Sequence, residues 1–367
     1  MRRILRFIRA EKALLAVLAM LALYTGLASD PAINPSGGAL ALPMFAALLI
    51  VMIWGASGVQ KHADGVAELI GEPLGTLVLT LSVVGIEVGL ISSVMLSGES
   101  NPTLARDTMF AVLMIVLNGL VGLSLLLGAA RHVEQQYNFQ GARAFLSVIL
   151  PLAVFALILP AHTVSTDAPT FSTFQAVFFS AVTLVLYVIF LVIQTTRHRS
   201  YFVEPDEPAP QGPHHARYSA LTHAILLLAT LLPIILLSKG LAKYVDYGIS
   251  GFGLPVALGG VLIAAIVLAP EGMSAVKAAR ANLLQRAVNL CLGAALSTIG
   301  MTVPAVLAIG LILNKDIVLG LGPVNQILLA LTLLCTTWTF GSARTNVLQG
   351  AVHLVLFFAY LALIFSP

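Results

Sequence analysis

Apolar residues fill this chain in long blocks, and polar residues mark where the blocks end. Crossing about 30 Å of hydrocarbon as a helix takes roughly 20 such residues. Runs of that kind fall near 13–29, 39–58, 73–97, 107–129, 145–162, 172–195, 219–238, 253–277, 286–313, 319–338 and 345–366. The pattern predicts eleven transmembrane helices in an all-α polytopic membrane protein. Most polar breaks are short. The exception is Arg197–Tyr218, RHRSYFVEPDEPAPQGPHHARY, whose prolines and mixed charges suit a linker and no packed element.

Composition agrees and narrows the function. The chain is 59% hydrophobic and only 10% charged, against about a quarter charged in soluble domains. Its net charge of +3 is spread through short loops, which excludes nucleic acid as a partner and leaves the lipid bilayer. Cys291 and Cys335 both lie in apolar runs, so there is no disulfide framework and no Cys-based metal site. The start, MRRILRFIRAEK followed by Ala13–Leu27, has the look of a signal peptide. A retained signal-anchor helix fits better, because it makes the orientation self-consistent.

Lys and Arg set that orientation. With the N-terminus inside, the inner segments hold fifteen of the nineteen and the outer ones four, Arg106, Lys239, Lys243 and Lys315. The N-terminus is expected in the cytoplasm and the C-terminus outside. The chain then divides into an N-terminal helix (1–30), a first five-helix repeat (31–196), a cytoplasmic linker (197–218) and a second five-helix repeat (219–367). Five is odd, so the second repeat runs opposite to the first. Inverted repeats of this kind hold their substrate near the midplane where they meet.

Two helices carry the chemistry. Gly71–Met95, GEPLGTLVLTLSVVGIEVGLISSVM, is apolar except for Glu87. An ionised group at a helix centre costs roughly 2.5–3.5 kcal/mol on translocon scales, and intramembrane acids default to function. The equivalent helix of the second repeat, Gly253–Lys277, carries Glu271. Gly85 and Gly89 bracket Glu87 at a spacing that lets a neighbouring helix approach. Pro270 and Gly272 bracket Glu271, so the helix is expected to break there and free carbonyl oxygens, with Ser274 one turn on.

The helix after each acid is striped with polar and small residues. Asp107, Asn118 and Gly122 share one face of the fourth, and Asn289, Gly293, Ser297, Gly300 and Pro304 recur along the ninth. Carboxylate, amide and hydroxyl oxygens suit Ca²⁺, Na⁺ or K⁺, with no cofactor required. Two acids can be neutral as a protonated pair or neutralised by a divalent cation, so protons and cation compete for one site. That competition is the core of an antiporter.

Other positions have plainer readings. Glu68 and Glu72 lie at the cytoplasmic entrance to the third helix and Asp107 at the external start of the fourth. Each suits a charge at a helix N-terminus, with cation attraction at the entrance as the alternative. Asn346, Gln349 and His353 share a face of the last helix and suit hydrogen bonds between helices. Glu204, Asp206, Glu207, His214 and His215 read as a solvated linker.

Four stretches together resemble the Ca²⁺:cation antiporter superfamily, cation/proton exchanger branch, and within it the bacterial ChaA-type calcium (or sodium/potassium):proton antiporters. They are GEPLGTLVLTLSVVGIEVGLIS (Gly71–Ser92), TLARDTMFAVLMIVLNGLVGLSLLLG (Thr103–Gly128), LAPEGMSAVKAARANLLQRAVNL (Leu268–Leu290) and RTNVLQGAVHL (Arg344–Leu354). The resemblance implies inverted repeats with family motifs near 71–128 and 253–313, Glu87 and Glu271 as the paired ion-binding acids, Asn118 where the family has a polar Asn in its first motif, and a bacterial inner-membrane location. Asn289, Gly293 and Ser297 fall in the helix that follows in the second motif. The chain departs from the family's Gly-Asn-Ala segment before each acid, with Val84-Gly85-Ile86 and Leu268-Ala269-Pro270 there, and has Met301 where a glutamine is expected. Fewer side-chain oxygens remain, which leaves monovalent transport as open as Ca²⁺. A sodium/calcium-type exchanger is the neighbouring reading. A carboxylate-dyad enzyme or a cation channel are the readings from other classes.

Overall fold

The computed structural model describes residues 10–27, 29–71, 74–95, 102–203 and 218–366. Among them eleven long helical segments follow one another: α1 (Lys12–Leu27), α2 (Ala41–Ile70), α3 (Leu74–Met95), α4 (Leu104–His132), α5 (Phe139–Ala161), α6 (Thr173–Arg197), α7 (Ala220–Phe252), α8 (Ala257–Arg280), α9 (Leu284–Leu313), α10 (Pro323–Thr339) and α11 (Val347–Phe365). Eight are long and apolar enough to cross a membrane, namely α2 and α4 to α9 with α11. α1 and Leu77–Ser93 of α3 are shorter apolar helices.

Local chemistry fixes several ends. Ser172 accepts from the Gln175 amide while the Gln175 side chain accepts from the Ser172 amide, a capping box that starts α6. Asn346 and Gln349 do the same for α11. Gly71 and Gly253, both at positive φ, stop α2 and α7 where a side chain would be strained.

Two helices outrun the sequence expectation. The apolar run of α2 weakens near residue 58, yet the helix continues to Ile70 because Val59, Ala63 and Val66 keep a buried stripe beneath the charges. α7 continues past Lys239 to Phe252 on Leu237, Leu241 and Tyr244, and the Tyr244 hydroxyl donates to the Ile33 carbonyl at 2.7 Å. The break expected at Pro270 does not occur. α8 runs unbroken through it, at the cost of the one bond that the Ile266 carbonyl would have accepted. α4, α5, α6 and α9 each contain a π-helical turn, at Ile115–Leu120, Val154–Ile158, Ile193–Arg197 and Thr298–Thr302.

The chain forms two compact units. One comprises Met1–Ser100 and Pro213–Pro270, and in it α1, α2, α3 and α7 pack on one another. The other comprises Asn101–Gly212 and Glu271–Pro367. There α4 packs on α11 and α9, α5 on α9 and α6, and α10 on α11. A two-stranded antiparallel ribbon, β1 (Gln135–Gln136) with β2 (Arg344–Thr345), links the segment after α4 to the start of α11. α8 passes from one unit to the other between Pro270 and Glu271.

Candidate ion-binding site

In the first unit Glu87 sits midway along α3 with no exposed surface. The wall beside it is α7. A methyl added at Gly89 would fall 2.5 Å from Ile235 Cδ1, and the Ser93 hydroxyl donates to the Ile235 carbonyl at 3.0 Å. Gly85 is not the point of close approach, since a methyl there would meet Leu231 at an ordinary 3.8 Å. The small-residue stripe therefore works chiefly through Gly89, bringing α7 against the helix that carries the acid. Glu72 lies outside the described residues. Glu68 is exposed in the last turn of α2 rather than at the entrance of α3.

In the second unit Glu271 is half-buried and Pro270, on the other side of the division, is buried. A methyl at Gly272 would meet Leu120 Cδ2 at 2.7 Å, so α8 lies close against the π turn of α4. Ser274 is half-buried on the next turn. Asn118 stands inside that π turn, fully buried. Its amide nitrogen donates to Thr332 Oγ1 at 2.8 Å, and its oxygen lies 3.2 Å from His353 Nδ1. His353 Nε2 in turn faces Thr339 Oγ1 at 3.0 Å. Asn118, Thr332, Thr339 and His353 thus form one buried chain through α4, α10 and α11. π turns recur at functional sites because they re-aim side chains and loosen the ladder.

The other candidates divide. Asp107 is buried at the first turn of α4, held by Arg106 at 2.9 Å and the Thr103 hydroxyl at 2.9 Å, which is the helix-start role. Asn289 is half-buried near the start of α9. It accepts from Gln285 Nε2 at 2.8 Å and donates to the Phe202 carbonyl at 2.6 Å, tying α9 to the segment that precedes the linker. Ser297 is buried just before the π turn of α9 and donates to the Ala294 carbonyl. Gly300 makes room for the Tyr187 ring, a packing role. Asn346 and Gln349 cap their own helix, so only His353 of that trio bonds across helices. The linker residues Glu204, Asp206, Glu207, His214 and His215 lie outside the described residues.

Two groups went unread in the sequence. His353 was visible only as one polar position on a helix face. Glu11, His62 and His223 lie far apart in the chain, and nothing in their spacing brings them together. Yet all three are buried in the first unit and in contact.

A nearly all-helical chain with eight helices long and apolar enough to cross a bilayer is an integral membrane protein. The sequence profile described as sodium/calcium exchanger protein matches residues 40–196 and 222–366, and the chain belongs to that family. It is 45% identical over 83% of its length to a putative ionic transporter of Sinorhizobium fredii, y4hA, covering 84% of that protein. It is 40% identical over 90% of its length to the sodium-potassium/proton antiporter ChaA of Escherichia coli, covering 92% of it. Among solved structures it is similar to native YfkE, with a TM-score of 0.75 over 97% of this chain and 100% of the other at 18% identity. The H⁺/Ca²⁺ exchanger CAX gives 0.67 over 97% and 89% at 14% identity. These two likenesses show the exchanger fold.

Proposed function

We propose that the chain is a secondary active antiporter of the bacterial inner membrane that exports Ca²⁺, Na⁺ or K⁺ in exchange for protons. The observation that carries this reading is Glu87, fully buried midway along α3. Family membership and the likeness to a sodium-potassium/proton antiporter support the coupling to protons.

Glu87 and Glu271 are the ion-binding acids in this reading, with Asn118, Ser274 and Ser297 as supporting oxygen donors and Gly85 and Pro270 shaping the helices that carry the acids. A carboxylate pair deprived of water is neutral when it holds protons and neutral when it holds a divalent cation. Each ion therefore displaces the other, and the site crosses the bilayer loaded in both directions.

The eleven helices span in this reading as one helix and two inverted repeats, 31–196 and 219–367, with the N-terminus cytoplasmic. Three features support the repeat. Each compact unit draws helices from both sides of the linker. The first helices of the two halves, α2 and α7, are both long, at 30 and 33 residues. The third of each half, α4 and α9, carries a π turn near its middle.

The test uses inside-out vesicles acidified within. Adding Ca²⁺, Na⁺ or K⁺ outside should collapse the pH difference, and Glu87→Gln or Glu271→Gln should reduce the response to that of vesicles lacking the protein. Full exchange in both variants would sink the site. Exchange indifferent to the proton gradient would point to sodium/calcium-type exchange instead.

A further inference from the structure

The first unit contains a second group of buried ionisable side chains, at the start of α1. His62 Nε2 lies 2.9 Å from Glu11 Oε2, and His62 Nδ1 lies 3.0 Å from His223 Nδ1. Lys61 Nζ reaches both Glu11 oxygens at 3.1 Å and the Ala10 carbonyl at 2.9 Å. Glu11, His62 and His223 are 3%, 1% and 6% exposed, while Lys61 reaches out to solvent. The backbone is shaped for this contact. A methyl at Gly65 would strike the His223 ring at 2.5 Å, and one at Gly58 would strike Ala13 Cβ at 2.9 Å. A cavity of about 260 Å³ opens beside Glu11, Lys61, His62, Ser57 and Thr230, giving the group a route to exchange protons.

Hydrogen counting then sets the states. The carboxylate only accepts, so His62 Nε2 carries a hydrogen. Its Nδ1 faces another Nδ1, and that contact holds only if one of the two is a bare lone pair. With both rings neutral, His223 donates to His62. With one added proton the shared hydrogen still lies between the rings. With two, both Nδ1 atoms carry hydrogens and face each other at hydrogen-bond distance, and the contact must open.

We propose that Glu11, His62 and His223 form a proton-binding site separate from the transmembrane glutamates, in which the His62–His223 contact latches α2 onto α7 and releases it when the second histidine is charged, while Glu11 stays bonded to His62 and Lys61. The neighbouring charges make histidine the titrating partner. Burial pushes the Glu11 carboxyl up, but Lys61 and His62 outweigh it and hold the carboxyl below its ordinary range. Glu11 therefore stays anionic through the pH 5–8 window in which histidine changes charge. α1 brings Glu11 and the exposed Lys12, and α2 brings Lys61 and, acting on His223 from the exposed end of the helix, Glu68. The Tyr218 ring packs edge-on to His223, and α3 brings no ionisable residue but Glu87 among those described. Because α7 also lies against Gly89 and Ser93 of α3, movement at His223 is felt by the helix that carries Glu87.

The test needs no transport, so its failure is distinct from failure of the glutamate site. Spin labels go at the exposed Leu69→Cys and Leu221→Cys in a chain with Cys291→Ser and Cys335→Ser. The distance between α2 and α7 should lengthen and broaden on moving from about pH 8 to about pH 5. The change should vanish in His223→Gln and in His62→Asn, either of which suffices if the other fails to fold. Glu11→Gln, which loses the anion that favours the charged histidines, should move the change to lower pH. A pH-independent distance in the parent chain, or a shift that survives both histidine variants, would overturn the latch.

Discussion

At the scale of single residues, the structure separates groups that a sequence treats alike. Glu87 was legible because an ionised side chain in an apolar helix is expensive and its cost is local to the residue. His353 was not, because its value lies in two partners brought from other helices. It occupies both its ring nitrogens, on Asn118 and Thr339, in a region with no exposed surface. Replacing it with Leu leaves the Asn118 oxygen and the Thr339 hydroxyl short of a partner, at about 1–3 kcal/mol for a buried group so orphaned. His353→Leu should therefore lower the thermal midpoint in detergent, as should Asn118→Leu. The double variant should cost less than the two summed, with a coupling of about 0.5–3 kcal/mol. Strict additivity would mean that the buried chain is incidental.

At the scale of helices, close approach depends on what the glycine faces. Gly89 faces the far end of Ile235, which can rotate aside. Gly350 faces the Leu126 backbone nitrogen at 2.6 Å and the Gly122 carbonyl oxygen at 2.9 Å, neither of which can move without shifting α4. Gly89→Ala should cost about 1 kcal/mol and be relieved by Ile235→Val, whereas Gly350→Ala should cost up to about 3 kcal/mol and find no side-chain rescue. Equal losses in thermal stability would refute the distinction. Helix ends were harder to read than helix identities. The apolar windows closed at the first charges of α2 and α7, although a buried stripe at helical spacing carried both several turns further. Pro270 misled in the opposite direction. One missing donor does not end a helix whose adjoining turns keep their own bonds.

At the scale of the whole molecule, the sequence divided the chain at its linker, whereas compactness divides it otherwise. The linker is legible because prolines and charges are local. The grouping of α2 and α3 with α7, and of α4 to α6 with α9 to α11, is not, since it rests on contacts far apart in the chain. Neither stretch flanking the linker owns a complete core. α3 needs Ile235 of α7 beside Gly89 and Ser93, and α4 needs α11 beside Gly122. A chain severed within 204–217 should thus behave as two complementing fragments. Each expressed alone should be degraded, and the pair co-expressed should recover each other and restore exchange in vesicles. Accumulation of either piece alone as a folded species would contradict this. The covalent join between the halves then serves stoichiometry and delivery to the membrane, and the fold itself does the holding.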